Sequence, residues 1–182
     1  MIDFPILTLL VVVPAVGALL VAVISKRHPD LVKVSALCTS VLTGALALWV
    51  LFAFDKSDSG FQFASQHEWI KPWGISWHLG IDGISLFLVV LTGVLFPLVI
   101  VGIDPHASST ADHKRYLSWM LLLEAGVMGS FISLDLFLFF VFFEIVLVPM
   151  YFLIGGWGYE NRVYAATKFF LFTMVGSAFM LV

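Results

Sequence analysis

Glu144 stands in the middle of SLDLFLFFVFFEIVLVPMYFLIGGWG, an apolar stretch bounded by Asp135 and by the Gly155-Gly156-Trp157-Gly158 cluster. A stretch of this length can cross a bilayer as a helix, and it puts the carboxylate about ten residues from either end, near the midplane. An acid at that depth costs roughly 2.5–3.5 kcal/mol on insertion scales, so it marks a functional site unless it serves as hydrogen-bonding glue between helices. Glu124 is a second such acid, eight residues after Tyr116 and nine before Ser133 in the preceding apolar stretch. Two antiparallel spans would bring these carboxylates to comparable depth on adjacent helices, where both charged at once would repel. Paired acids of this kind suit a proton relay.

Three other features bear on that chemistry. Pro149 lacks the amide that would serve the carbonyl of Ile145, next to Glu144. The freed carbonyl needs water, a side chain or another helix, which suits a hydrated half-channel as well as a simple kink. Lys168 lies five residues into the sixth apolar run and either snorkels to the interface or pairs with an intramembrane acid. His78 and Asp82, four apart in HLGIDGIS, would form a proton-entry or gating pair on a helical turn; otherwise they tie down a loop. His28, His67, His106 and His113 are expected in loops, without metal-ligand spacing.

The elements that hold these residues follow from composition. The chain has 182 residues, 61% of them hydrophobic and only 12% charged, against about 25% charged in an ordinary globular domain. This excludes a soluble protein, and a net charge of −3 argues against a nucleic-acid surface. Cys38 is the only cysteine, which rules out a disulfide framework within the chain. With no Cys-x-x-Cys, Gly-x-Gly-x-x-Gly or Walker pattern, no cofactor is expected in this chain. The fold expected is all-α: a polytopic transmembrane helix bundle of about six spans. They cover about Phe4–Ile24, Leu31–Phe54, Ile81–Ile103, Tyr116–Ser133, Asp135–Ile154 and Val163–Val182.

The first stretch lacks a basic leader and a small-residue cleavage site, so it reads as a retained span. The last ends in mid-apolar sequence, which points to a longer parent chain. Lys26, Arg27, Lys33, Lys114, Arg115 and Arg162 fall in alternate loops, against Lys56 and Lys71 in the others. That bias places the N-terminus outside and the long loop 55–80 on the external face. Trp69, Trp73 and Trp77 in this loop suit an interfacial aromatic belt. The fourth and fifth spans should form a tight hairpin with Asp135 as N-cap, and Gly126, Gly129 and Ser130 of the fourth span are small residues for close helix approach.

The stretch GSFISLDLFLFFVFFEIVLVPMYFLIGGWG, followed by AATKFFLFTMVGSAFML, resembles the antiporter-like membrane chain M (subunit 4) family of respiratory NADH:quinone oxidoreductase, complex I. HLGIDGISLFLVVLTGVLFPL is similar to that family's third-span entry. The resemblance implies a proton-translocating subunit of a bacterial inner membrane with about fourteen spans, of which this chain holds six. Residues 1–112 would then be the first three helices with their external loop, and 113–182 the start of the proton-channel core. Glu144 would match the family's fifth-span glutamate, Glu124 the acid of its fourth span, and Lys168 a residue of its AATKFF segment. NADH, FMN, iron–sulfur clusters and quinone would belong to partner membrane and peripheral subunits, with protons and the lipid bilayer as this chain's own partners. A subunit of a multisubunit Na⁺/H⁺ antiporter and a membrane assembly scaffold are the alternatives.

Overall fold

The computed structural model describes residues 5–25, 29–56, 60–103 and 110–181. Six helices form: α1 (Ile6–Val23), α2 (Pro29–Ala53), α3 (Gly83–Gly102), α4 (Thr110–Ile132), α5 (Leu136–Trp157) and α6 (Arg162–Met180). By length and apolarity, α1, α2, α3, α5 and α6 are each able to cross a membrane. Large apolar side chains such as Leu19, Phe52, Phe87 and Phe172 stay exposed on their outer faces, as lipid-facing residues do. The all-α membrane-helix bundle expected from composition is the architecture observed, with six helices among the described residues and five of them long and apolar enough to span.

The helix least apolar of the six lies at the centre. α4 packs against α1, α2, α3 and α5, so a polar residue on it can be enclosed by protein rather than by lipid. It is also longer than its apolar core. Its first turns include Lys114 and Arg115, expected in a loop, together with His113, which is buried. The boundary drawn after residue 112 falls inside this helix.

Close approach between helices depends on small residues. A Cβ on Gly44 of α2 would collide with the backbone carbonyl of Gly93 on α3. On the other side of the bundle, a Cβ on Gly126 would stand 2.8 Å from Val146 of α5, and one on Gly129 would enter the ring of Phe142. Two apolar cores result. One gathers Leu7, Leu10, Val50, Leu79, Val89, Met128 and Phe142; the other gathers Val21, Val32, Ala36, Ile100, Leu117 and Leu121.

The expected external loop contains regular structure. β1 (Gln62–Ile70) and β2 (Ile75–Ile81) form an antiparallel hairpin, with Gln66 opposite His78 and His67 opposite Trp77. Pro72 begins the turn region and Gly74 closes it with φ of 67°, a left-handed conformation that glycine adopts at little cost. The hairpin folds onto the bundle end. The Trp77 ring meets Phe142 edge-on at 5.7 Å, and its indole nitrogen is 3.4 Å from the hydroxyl of Thr8. Trp77 therefore packs against the bundle end; Trp69 remains half-exposed, and the side chain of Trp73 lies outside the described residues.

Asp82 and Asp135 set the starts of α3 and α5. Asp82 and Ser85 form a reciprocal capping box, with Ser85 N donating to Asp82 Oδ1 at 2.7 Å. Asp135 Oδ1 accepts from the amides of Phe137 and Leu138 at 2.9 and 3.1 Å, as an N-cap should. Its second oxygen accepts from Ser76 N of β2 at 3.1 Å. The short link between α4 and α5 is stitched to the same strand by Leu134 N, which donates to His78 O at 2.9 Å.

Candidate functional site

Ring pairs and glycine contacts fix how α4 lies against α5. Tyr116 meets Trp157 at 5.3 Å, and Trp119 stacks on Phe152 at 4.5 Å with 12° between the planes. With Gly126 facing Val146 and Gly129 facing Phe142, the two helices are antiparallel. Glu124 is then level with Leu147–Pro149, and Glu144 with Val127–Gly129. Their depths differ by about one helical turn.

Depth is comparable, but direction is not. At 100° per residue Glu124 shares a face with Leu117, Leu121 and Met128, nearly opposite the Trp119–Gly126 face that meets α5. It looks instead toward α2, where Ser40 Oγ donates to its Oε1 at 3.1 Å. Both residues are fully buried. Glu124 Oε2 is buried with no hydrogen-bond partner among the described residues. The pair sits between the two apolar cores, where a protein-lined polar spot replaces the packed side chains on either side.

Glu144 faces the other way. It is half-buried and accepts a hydrogen bond from Ser177 Oγ of α6. Thus the structure gives the two acids separate hydroxyl partners on separate helices. Neither serine stood out in the sequence. A serine in an apolar helix often bonds its own i−4 carbonyl, as Ser130 does with Gly126, and its partner on another helix depends on how the helices are rotated.

Pro149 is buried within α5, which runs on without interruption to Trp157. Lys168 is exposed on α6 with its Nζ 5.8 Å from the ring centre of Tyr164. It lies nine residues before Ser177, so it is on the face opposite the one that meets Glu144. The helical turn on which a His78–Asp82 pair depended is absent: His78 is on β2, while Asp82 caps α3. His67 is on β1, and His28 and His106 lie outside the described residues.

The basic residues have a further role that sequence reasoning missed. Lys114 Nζ donates to the carbonyl of Ile24 at the end of α1, at 2.6 Å. Lys33 Nζ donates to Ile103 O at 2.6 Å beyond the end of α3. Arg162 reaches Gly156 O near the end of α5 at 3.0 Å. Three helix C-termini on one side of the bundle are closed by cations, where the helix dipole favours positive charge.

Residues 133–182 match the family model described as NADH:quinone oxidoreductase/Mrp antiporter, TM. NADH-quinone oxidoreductase subunit M of Rickettsia prowazekii (strain Madrid E) is 39% identical over the whole chain, which covers 37% of that relative. Subunit M of Rhodobacter capsulatus is 40% identical over 97% of this chain and 34% of its own length. Among solved structures, a chain of respiratory complex I from Thermus thermophilus with bound NADH superposes with a TM-score of 0.78 at 26% identity, over 96% of this chain and 34% of that one. The chain therefore spans little more than a third of the length of the curated relatives it matches. Along the whole of its own length, the chain is similar in sequence to these M subunits of NADH-quinone oxidoreductase and in helical fold to the complex I chain.

Proposed function

We propose that this chain provides part of a proton route in an NADH:quinone oxidoreductase of a bacterial inner membrane, with Glu144 as the acid that loads and releases the proton. Glu124, expected to act as its relay partner, is turned to Ser40 of α2 instead and is a second acid of the route rather than a direct exchange partner. Electron transfer from NADH through FMN and iron–sulfur clusters to quinone takes place in partner subunits. Lys168, on the open face of α6, is placed to meet whatever packs there, and Pro149 sits level with Glu124 along the route. The grouping of Lys33, Lys114 and Arg162 at one end of the bundle supports a cytoplasmic position for that end and an external N-terminus.

The observation that carries the reading is the placement of Glu144. It lies midway along a helix able to span a membrane, and its partner is a neutral hydroxyl instead of a fixed cation. A carboxyl held by a hydroxyl can exchange its proton without breaking an ion pair. The test is NADH-driven proton uptake in vesicles carrying the complete complex. Glu144→Gln should abolish uptake while the complex still assembles, since glutamine keeps the size and polarity of the side chain and loses only the titratable proton. Uptake at the wild-type level would make the acid structural.

The family description also names the Mrp antiporter, which supports a second reading as a cation/proton antiporter subunit. Na⁺-driven proton movement without NADH would favour it.

A further inference from the structure

We infer that Ser177 is a positioning residue for Glu144, with a hydroxyl that turns between two acceptors as the carboxyl gains or loses its proton. The inference rests on the reading of Glu144 as a proton carrier. Ser177 Oγ has two acceptors within reach: the Glu144 carboxyl oxygen on α5, and the carbonyl oxygen of Met174 in its own helix, at 3.0 Å. A hydroxyl carries one proton and two lone pairs, so it cannot donate fully to both at once. When Glu144 is ionised its oxygens only accept, and the Ser177 proton points at them. When Glu144 is protonated, its own O–H donates to Ser177 Oγ, and the Ser177 proton turns to the Met174 carbonyl. Each charge state of the acid finds its partner by rotation of one bond.

The surroundings leave this task to Ser177. Among the described residues of the elements packed on α5, Glu124 is turned to Ser40 and Lys114 to the end of α1, while Arg162 is held near the end of α5 and Arg115 lines a groove with Gly155, Gly156 and Trp157 at that same end. Lys168 lies on the far face of α6 over Tyr164, and His78 is on β2 in the hairpin. Ser177 itself is buried, at 7% exposure. It also lines a groove of about 350 Å³ between α5 and α6, together with Phe139, Phe143, Thr173 and Gly176. The hydroxyl thus stands between that groove and the carboxyl, on the half of the bundle nearer the hairpin.

The experiment uses the complete complex in its membrane and two readouts: NADH-driven proton uptake, and the infrared carbonyl stretch of protonated Glu144, assigned by its loss in Glu144→Gln. Ser177→Ala should displace the band and slow uptake at least several-fold, and Ser177→Thr, which keeps a hydroxyl at the same place, should restore both. An unmoved band and full uptake in Ser177→Ala would overturn the inference. Equal impairment in the alanine and threonine variants would also overturn it, because shape alone would then explain the loss. Full uptake in Glu144→Gln is a separate result: it removes the carrier reading on which the inference rests, while the band in Ser177→Ala still reports whether the hydrogen bond exists.

Discussion

Ser40 of α2 and Glu124 of α4, 84 positions apart in the chain, meet in the fully enclosed centre of the bundle, with the serine hydroxyl 3.1 Å from the carboxyl oxygen. This bond links α2 to α4 in the buried interior.

Removing that donor leaves a buried carboxyl oxygen unsatisfied, which costs about 1–3 kcal/mol. Ser40→Ala is therefore expected to lower the thermal stability of the detergent-solubilised protein. Ser40→Thr keeps the donor and should recover much of the loss. A melting temperature unchanged in Ser40→Ala would show that the pair contributes nothing to the fold.

Gly44→Ala sets backbone against side chain. The added methyl group meets the Gly93 carbonyl, which cannot rotate away as a side chain could. Overpacking of this kind costs about 1–3 kcal/mol. Gly102→Ala is the matched control, because an added Cβ there meets nothing within 4 Å. Thermal melts of the two variants should differ in that order; equal melts would mean that α2 and α3 do not approach so closely.

Asp135 makes the hairpin–helix junction sensitive to acid. Partial burial tends to raise its pKa, but the backbone amides of Ser76, Leu138 and Phe137 outweigh this and hold it below the ordinary carboxylate value. A group whose pKa falls on folding adds stability above its unfolded pKa, about 3.9, and that stability is lost as pH drops through the folded value. Wild type should thus exceed Asp135→Asn in melting temperature at pH 7. The gap should narrow below about pH 4. A gap independent of pH would point to shape, not charge. Asp82, lowered by the Ser85 amide and hydroxyl, should behave in the same direction.

Lys33 and Lys114 each close a helix end, and charge–dipole contacts of this type contribute roughly 0.3–1 kcal/mol, more when partly buried. Lys33→Met and Lys114→Met should each lower the melting temperature modestly, whereas Lys56→Met, at an exposed position, should not. Identical melts for all three would mean the lysines serve only to orient the chain in the membrane.

What could be read from sequence was local. Asp135 as a cap follows from an aspartate directly before an apolar run, and the α4–α5 hairpin follows from the few residues between two long stretches. Gly126 and Gly129 were legible as sites of close approach, and the structure shows the helix they face to be α5. Helical geometry applied to those same glycines already puts Glu124 on the opposite side, a consequence the pairing of two acids by depth left out. Ser40 and Ser177 were illegible because hydroxyls are common in apolar helices, and only the rotation of one helix against another selects a partner. The strand hairpin had a weak sign in Pro72 and Gly74 between two aromatic-rich stretches, but charged and polar residues on β1 hid its alternation.

Asp135 binds the first turn of α5 with one carboxyl oxygen and β2 with the other, while Pro149 removes a backbone tie farther down the same helix. The start of α5 is moored, and the helix lacks one backbone hydrogen bond at Pro149. Motion imposed on this helix by a neighbour should therefore be taken up as bending near Pro149, with the stretch from Asp135 to Glu144 moving together with the hairpin as one piece. The carboxyl at Glu144 lies on the moored side of that pivot, so its height in the membrane is set by the β1–β2 hairpin, and its surroundings change mainly through what the helices beside it do.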